Sequence, residues 1–233
     1  MDYKEYMKYL IITIVGFFVV LMEWGIESGI QVYPTYIQDF SIGSEFQYYT
    51  LNTFYGVDAT LVNEEVMISF AGFRIPIFSD ILGFIIILIG CKGLKNRSRV
   101  FSITGFMALL SAGMTAVIAL LPFVLNGSRL CYVAMALGIA ALGLELSVGY
   151  FFVCAVCDII SGISFASDRM AIGISWFVTV ILRIIVFVTT WVQLPRLTTV
   201  YNMFLFWTTV FMIYSIWKIR DYVTGEIVFD CQK

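Results

Sequence analysis

What most constrains this chain is how rarely a charge interrupts it. No Asp, Glu, Lys or Arg occurs between Arg99 and Arg129, between Arg129 and Glu145, or between Arg196 and Lys218. Crossing roughly 30 Å of hydrocarbon takes about 20 apolar residues, and a helix is the form in which a single segment satisfies its own backbone there. Apolar stretches of that order fall near 8–27, 77–91 (starting as early as 64 on the widest reading), 101–125, 130–153, 171–193 and 201–218. They predict an all-α fold: one integral membrane domain over residues 1–233, a polytopic transmembrane helix bundle of about six spans.

Composition closes off the soluble alternatives. Of 233 residues, 61% are hydrophobic and 13% charged, against roughly 25% charged in an ordinary soluble domain, and the mean hydropathy is +0.93. A net charge of -2, with no basic face carrying interleaved aromatics, argues against nucleic acid as a partner. Cys91, Cys131, Cys154, Cys157 and Cys231 lie in or beside apolar segments and none falls within 28–72, which argues against a disulfide-stapled outer domain. The first stretch follows Lys4 and Lys8 as a signal peptide would, but Glu23-Trp24-Gly25-Ile26-Glu27 stands where a small-residue cleavage site is needed. It is read as a retained span.

Lysine and arginine orient the bundle, because positive loops stay cytoplasmic. With six spans and the N-terminus inside, the inner segments hold Lys4, Lys8, Lys92, Lys95, Arg97, Arg99, Arg169, Lys218, Arg220 and Lys233, and the outer ones hold Arg74, Arg129 and Arg196. Both termini and the basic loop Lys92, Lys95, Arg97, Arg99 are therefore expected in the cytoplasm, in a cell membrane crossed several times. The run from Leu130 to Phe165 is the difficulty: as one helix it would be about 54 Å long, so a break or interfacial turn is expected around Gly149, Ser161, Gly162 and Ser164. A double crossing there would move the C-terminus outside.

The polar segment 28–72 is expected on the outer face and is rich in aromatics, among them Tyr33, Tyr36, Phe46, Tyr48, Tyr49 and Phe70. That is too many for a disordered linker. Residues 45–51 and 59–62 are β-prone around the turn-like Tyr55-Gly56-Val57-Asp58, which predicts a short hairpin docked on the bundle, the headgroups or a neighbouring subunit.

Histidine is absent, which removes the commonest general base and metal ligand together with the serine and cysteine nucleophile pairs that depend on it. No catalytic set, metal site or cofactor is implied. Glu145 and Arg183 carry the most information, each near the middle of one of two successive apolar spans. A lone charge at that depth costs at least about 2.5 to 3.5 kcal/mol, so the two are expected to meet, either as a gate or coupled site or as a neutralised pair that sets helix register. Asp80 and Asp158 are further polar candidates, Asp80 most simply as a cap or first-turn acid. Ala134 with Gly138, and Ala136 with Ala140, are spaced by four and predict a close helix-packing face, within the bundle or between copies.

Two short segments bear a resemblance. Cys154-Ala155-Val156-Cys157, after Gly149-Tyr150-Phe151-Phe152-Val153, superficially resembles the membrane-embedded Cys-x-x-Cys of the vitamin K epoxide reductase family. The family's partner cysteines in the outer loop have no counterpart here, and the pair falls toward the inner side. Residues 74–94, with Arg74-Ile75-Pro76 leading into Asp80-Ile81-Leu82-Gly83-Phe84-Ile85-Ile86-Ile87, look like a recurrent segment of small multi-span proteins of Gram-positive bacteria. That resemblance implies a bacterial inner membrane and carries no site.

Three functions compete. The first is a non-enzymatic, self-associating bundle, a homo-oligomeric pore or a sensor or platform subunit, such as a bacterial defence or immunity system would use. Its basic inner loop would meet a cytosolic protein partner. The second is a monomeric small-solute transporter or substrate-binding subunit with Glu145 and Arg183 on a cavity. The third is an enzyme acting on a lipid-linked substrate with Asp80, Asp158 and Glu64-Glu65 as acids; it ranks last because those carboxylates fall on opposite membrane faces.

Overall fold

The structure is a computed structural model and describes residues 3–21, 32–37, 57–62, 65–70, 76–125, 127–160, 166–191 and 195–224. Helices dominate: α1 (Tyr3–Leu21), α2 (Pro76–Leu94), α3 (Val100–Leu120), α4 (Gly127–Ile159), α5 (Ala166–Trp191), α6 (Pro195–Lys218) and the short α7 (Arg220–Thr224). Four of them, α3 to α6, hold segments long and apolar enough to cross a membrane: Val100–Leu120, Arg129–Ile159, Ala166–Thr189 and Thr199–Lys218. Much of their outward surface is large and apolar, including Phe106, Ile174, Phe204, Trp207 and Phe211, as lipid allows and water does not.

Several boundaries differ from expectation. α4 runs unbroken through Gly149 to Ile159, about 50 Å at the helical rise, so no break occurs there. Ser161, Gly162 and Ser164 lie outside the described residues. α3 stops earlier than 125 because Pro122 converts the chain to a 3-10 turn, Leu121–Phe123. α2 starts at Pro76, a residue whose ring suits a first helical position, and not at 64. The chain before it is strand, as the alternation of Val66, Ile68 and Phe70 with Glu65, Met67 and Ser69 dictates.

Three strands, β1 (Val32–Ile37), β2 (Val57–Val62) and β3 (Glu65–Phe70), form an antiparallel sheet in the order β1-β3-β2. The β2–β3 hairpin closes at Val62 opposite Glu65, and Val57 pairs with Phe70. The helix bundle is as expected and carries this small sheet between α1 and α2, where a hairpin with its turn at 55–58 was expected; instead Val57 and Asp58 belong to β2, which pairs with β3, and the expected strand 45–51 lies outside the described residues.

The helices pack in two groups. α1 to α4 form a continuous series in which α1 lies along α2, α2 along α3 and α3 along α4, whereas α5 and α6 pack on each other and meet α4 only sparsely. Phe152 of α4 centres the first group, its ring 4.9 Å from Phe17 and 6.1 Å from Phe101.

The α1–α2 contact depends on glycine. A Cβ added to Gly16 would stand 2.8 Å from the Ile87 nitrogen, and one on Gly90 would stand 2.8 Å from both the Thr13 nitrogen and the Tyr9 carbonyl oxygen. Only hydrogen in place of Cβ lets the two backbones come this close. Six buried hydroxyls stay within their own helices: Thr13, Thr104, Ser111, Ser175, Thr209 and Ser215 each donate to the carbonyl four residues back. That satisfies a polar group without a neighbour's help.

Candidate functional site

Glu145 on α4 and Arg183 on α5 face each other across the sparse seam between the two helix groups. Arg183 Nε donates to Glu145 Oε1 at 2.7 Å, and Nη2 lies 2.6 Å from the same oxygen. The side chains keep 12% and 25% of their surface exposed, so the pair is sheltered without being sealed. It stands about 20–25 Å along the helices from the α4–α5 connection, within the apolar segments Arg129–Ile159 and Ala166–Thr189.

The pair forms part of the wall of a crevice of about 60 Å³ shared by α1, α2, α4, α5 and α6. Apolar side chains supply most of the rest: Phe17, Phe84, Leu146, Val180, Leu205 and Met212. Gly149 makes room for Trp176, whose indole nitrogen would lie 3.1 Å from a Cβ at that position. Thr179 and Thr209 also line the crevice, but their hydroxyls donate to Ser175 and Leu205 carbonyl oxygens. By the one-water measure of roughly 10–15 Å³, the space holds a few waters beside the ion pair.

A second polar layer gathers at one end of the bundle. Arg97, in the turn between α2 and α3, donates through Nε to the Val223 carbonyl and through Nη2 to the Tyr222 carbonyl, both at 3.0 Å, and its guanidinium lies over the Tyr6 ring. These are last-turn carbonyls of α7, which have no partner within their own helix, and a cation suits that end of the dipole. Ser98 Oγ donates to Asp158 Oδ2 at 2.7 Å, and Lys218 Nζ pairs with Asp168 at 3.0 Å. The start of α1, the α2–α3 turn, the end of α4, the start of α5 and α7 therefore share one end.

Asp158 belongs to this polar end. Asp80 does not: α2 begins four residues before it, so it is neither a cap nor a first-turn acid, and it lies a helix length away from Asp158. These carboxylates do not converge, and Glu64 lies outside the described residues. Of the basic loop, Lys92, Lys95 and Arg99 are exposed while Arg97 turns inward. Cys154 and Cys157 are free thiols one helical turn apart on α4. Ala134 and Gly138 are buried within the chain, and Ala136 and Ala140 face outward. Among the described residues no cluster of three His, Cys, Asp or Glu side chains is placed to hold a metal.

Sequence reasoning missed the Arg97 clasp and the glycine seam. Gly83 and Gly90, seven apart on one helix, were the available signal for the seam; nothing local marks Arg97 apart from its neighbours. No protein-family model, curated protein or solved structure matches the chain.

Proposed function

We propose that this chain is a non-enzymatic membrane protein of six crossings, its termini and the 92–99 loop in the cytoplasm, and that its working part is a solute-binding crevice at Glu145 and Arg183, as in a transporter or substrate-binding subunit. The observation that carries the proposal is the placement of the ion pair. A pair that served only to hold helices in register would be expected in a closed seam; this one forms a crevice wall where α4 and α5 touch far less than α1 with α2, α2 with α3, α3 with α4 or α5 with α6. The α5–α6 hairpin is tied to the rest at the polar end, through α7 and Arg97, so a displacement of the hairpin opens the crevice toward the opposite face.

The test is water access. In a background with all cysteines replaced, Thr179→Cys should react with a membrane-impermeant maleimide from the outer side of intact cells, and an unreactive Thr179→Cys from both sides would remove the solute-site function. Orientation is checked at Asn96, which is exposed, whereas Ser98 is buried against Asp158. Asn96→Cys should label in inside-out vesicles and not in intact cells.

A second function, the self-associating pore or platform, draws support from Ala136 and Ala140, which face outward at a spacing of four. The exposed Lys92, Lys95 and Arg99 would then face a cytosolic partner. Gly138→Leu distinguishes the two roles of α4's small residues: Gly138 is buried in the chain, so the change should lower folding yield, while Ala136→Leu should convert any oligomer to monomer in native mass measurement.

A further inference from the structure

We propose that Cys154 and Cys157 form a two-thiolate site for a soft monovalent cation, Cu(I), apart from the crevice and independent of what the crevice binds. Both are free thiols on α4, close to its end at Ile159. They lie about 13 to 18 Å along the helix from Glu145, and neither lines the crevice.

Helical geometry fixes what the pair can do. Residues three apart share one face, with Cβ atoms about 5–6 Å apart, and the two sulfurs are near enough for a charge on one to act on the other. A disulfide needs Cβ atoms about 3.5–4.5 Å apart, closer than an unbroken helix brings them, and α4 is unbroken here. A metal ion between the sulfurs removes that mismatch. At about 2.3 Å per metal–thiolate bond, as for zinc, a near-linear sulfur–metal–sulfur unit spans roughly 4.6 Å, which side chains on neighbouring turns reach without bending the backbone.

The surroundings select the ion. Thiolates suit both Cu(I) and Zn(II), but a structural zinc holds four ligands. The chain has no histidine, no third His, Cys, Asp or Glu joins the two cysteines among the described residues, and the Ser98 hydroxyl donates to the adjacent Asp158 carboxylate. Cu(I), with a filled d shell and a single charge, is satisfied by two thiolates. Binding displaces both thiol protons, so the ion and two thiols give a singly negative complex and two protons, with no change of oxidation state. Arg169, near the start of α5, is a positive charge that acts on Cys157, and the Tyr150 hydroxyl, one turn before Cys154, is hydrogen-bonded to it. Both offset the charge of the complex. The two thiols are also within reach of an incoming ion: they are half-buried, whereas Cys91 and Cys131 are buried.

The probe is Cu(I) itself, with the purified, reduced protein in lipid nanodiscs under argon and the coloured Cu(I) complex of bicinchoninate as competitor. Expected is the withdrawal of one Cu(I) per chain, with two sulfur neighbours in X-ray absorption. Cys154→Ser and Cys157→Ser should each weaken uptake at least about a hundredfold, more than the loss of an outer partner costs. Cys91→Ala/Cys131→Ala/Cys231→Ser should take up Cu(I) as the unmutated protein does. An unchanged thermal midpoint is the folding control for every variant, and the stoichiometry and sulfur count need no variant at all. No withdrawal of Cu(I) by the unmutated protein overturns the site. So do three or more sulfur neighbours, uptake retained by the folded double variant Cys154→Ser/Cys157→Ser, or displacement of the bound ion by equimolar Zn(II).

Discussion

The α1–α2 contact and the seam between α4 and the α5–α6 hairpin solve one problem in opposite ways. Both hold neighbouring helices together. Along α1 and α2, glycines bring the backbones together and leave nothing to open. At the other seam there is no comparable run of close backbone contacts; an ion pair reaches across a crevice, and Arg97 clasps the hairpin's far extension at the polar end. The first contact depends on shape, which a single added carbon ruins. The second depends on charge, which a substitution at either partner removes.

The largest effect should come from the glycine seam. Gly90→Leu drives a side chain into the Thr13 and Tyr9 backbone, and should cost about 3 kcal/mol or more, at the top of the range for overpacking. The expected readout is loss of monodisperse protein in mild detergent. Normal yield and thermal midpoint would show that α1 and α2 do not lie this close.

Next is the charge pair. Glu145→Ala removes the carboxylate that Arg183 grips and should destabilise by about 2.5 to 3.5 kcal/mol. Adding Arg183→Leu should recover much of that loss, a coupling that a double-mutant cycle of thermal midpoints reads directly. Additive losses would mean the seam is held by something else.

A smaller effect, about 1 to 2 kcal/mol, is expected for Arg97→Ala, which removes two charge-assisted hydrogen bonds to α7. Limited proteolysis should cut sooner near residues 220–224 in the variant, with the rest of the chain equally resistant. Unchanged cleavage would mean that Arg97 does not clasp α7.

The smallest change should reverse sign. A Cβ on Gly113 meets nothing within 4 Å, so Gly113→Ala should stabilise α3 by up to about 1 kcal/mol through helix propensity alone. A destabilised Gly113→Ala would place an unseen neighbour there, and it would blur the distinction between glycines kept for close approach and glycines merely tolerated.

The four helices long and apolar enough to cross a membrane, α3 to α6, were legible in the sequence because a span is a local fact. Each must satisfy its backbone within its own twenty or so residues, whatever it packs on. Of the residues around which a break was expected, Gly149 stays helical with Trp176 against it, while Ser161, Gly162 and Ser164, just past the end of α4 at Ile159, lie outside the described residues. The strand at 65–70 showed its period-2 pattern, but the same apolar residues also suited an early start to α2.

Glu145 and Arg183 were conspicuous from sequence for the same local reason: each is a charge that hydrocarbon cannot leave alone. Which oxygen Arg183 grips, and that the pair forms a crevice wall and not a closed seam, were decided only by how five helices assemble. So were the meeting of Gly16 and Gly90 with backbone across the α1–α2 contact and the choice of Arg97, out of four basic residues, to cap α7. Insertion into a bilayer is determined segment by segment, by hydrogen bonding and apolar area that each stretch carries itself. Packing is determined by contacts between residues far apart in the chain, and those exist only once the helices have met.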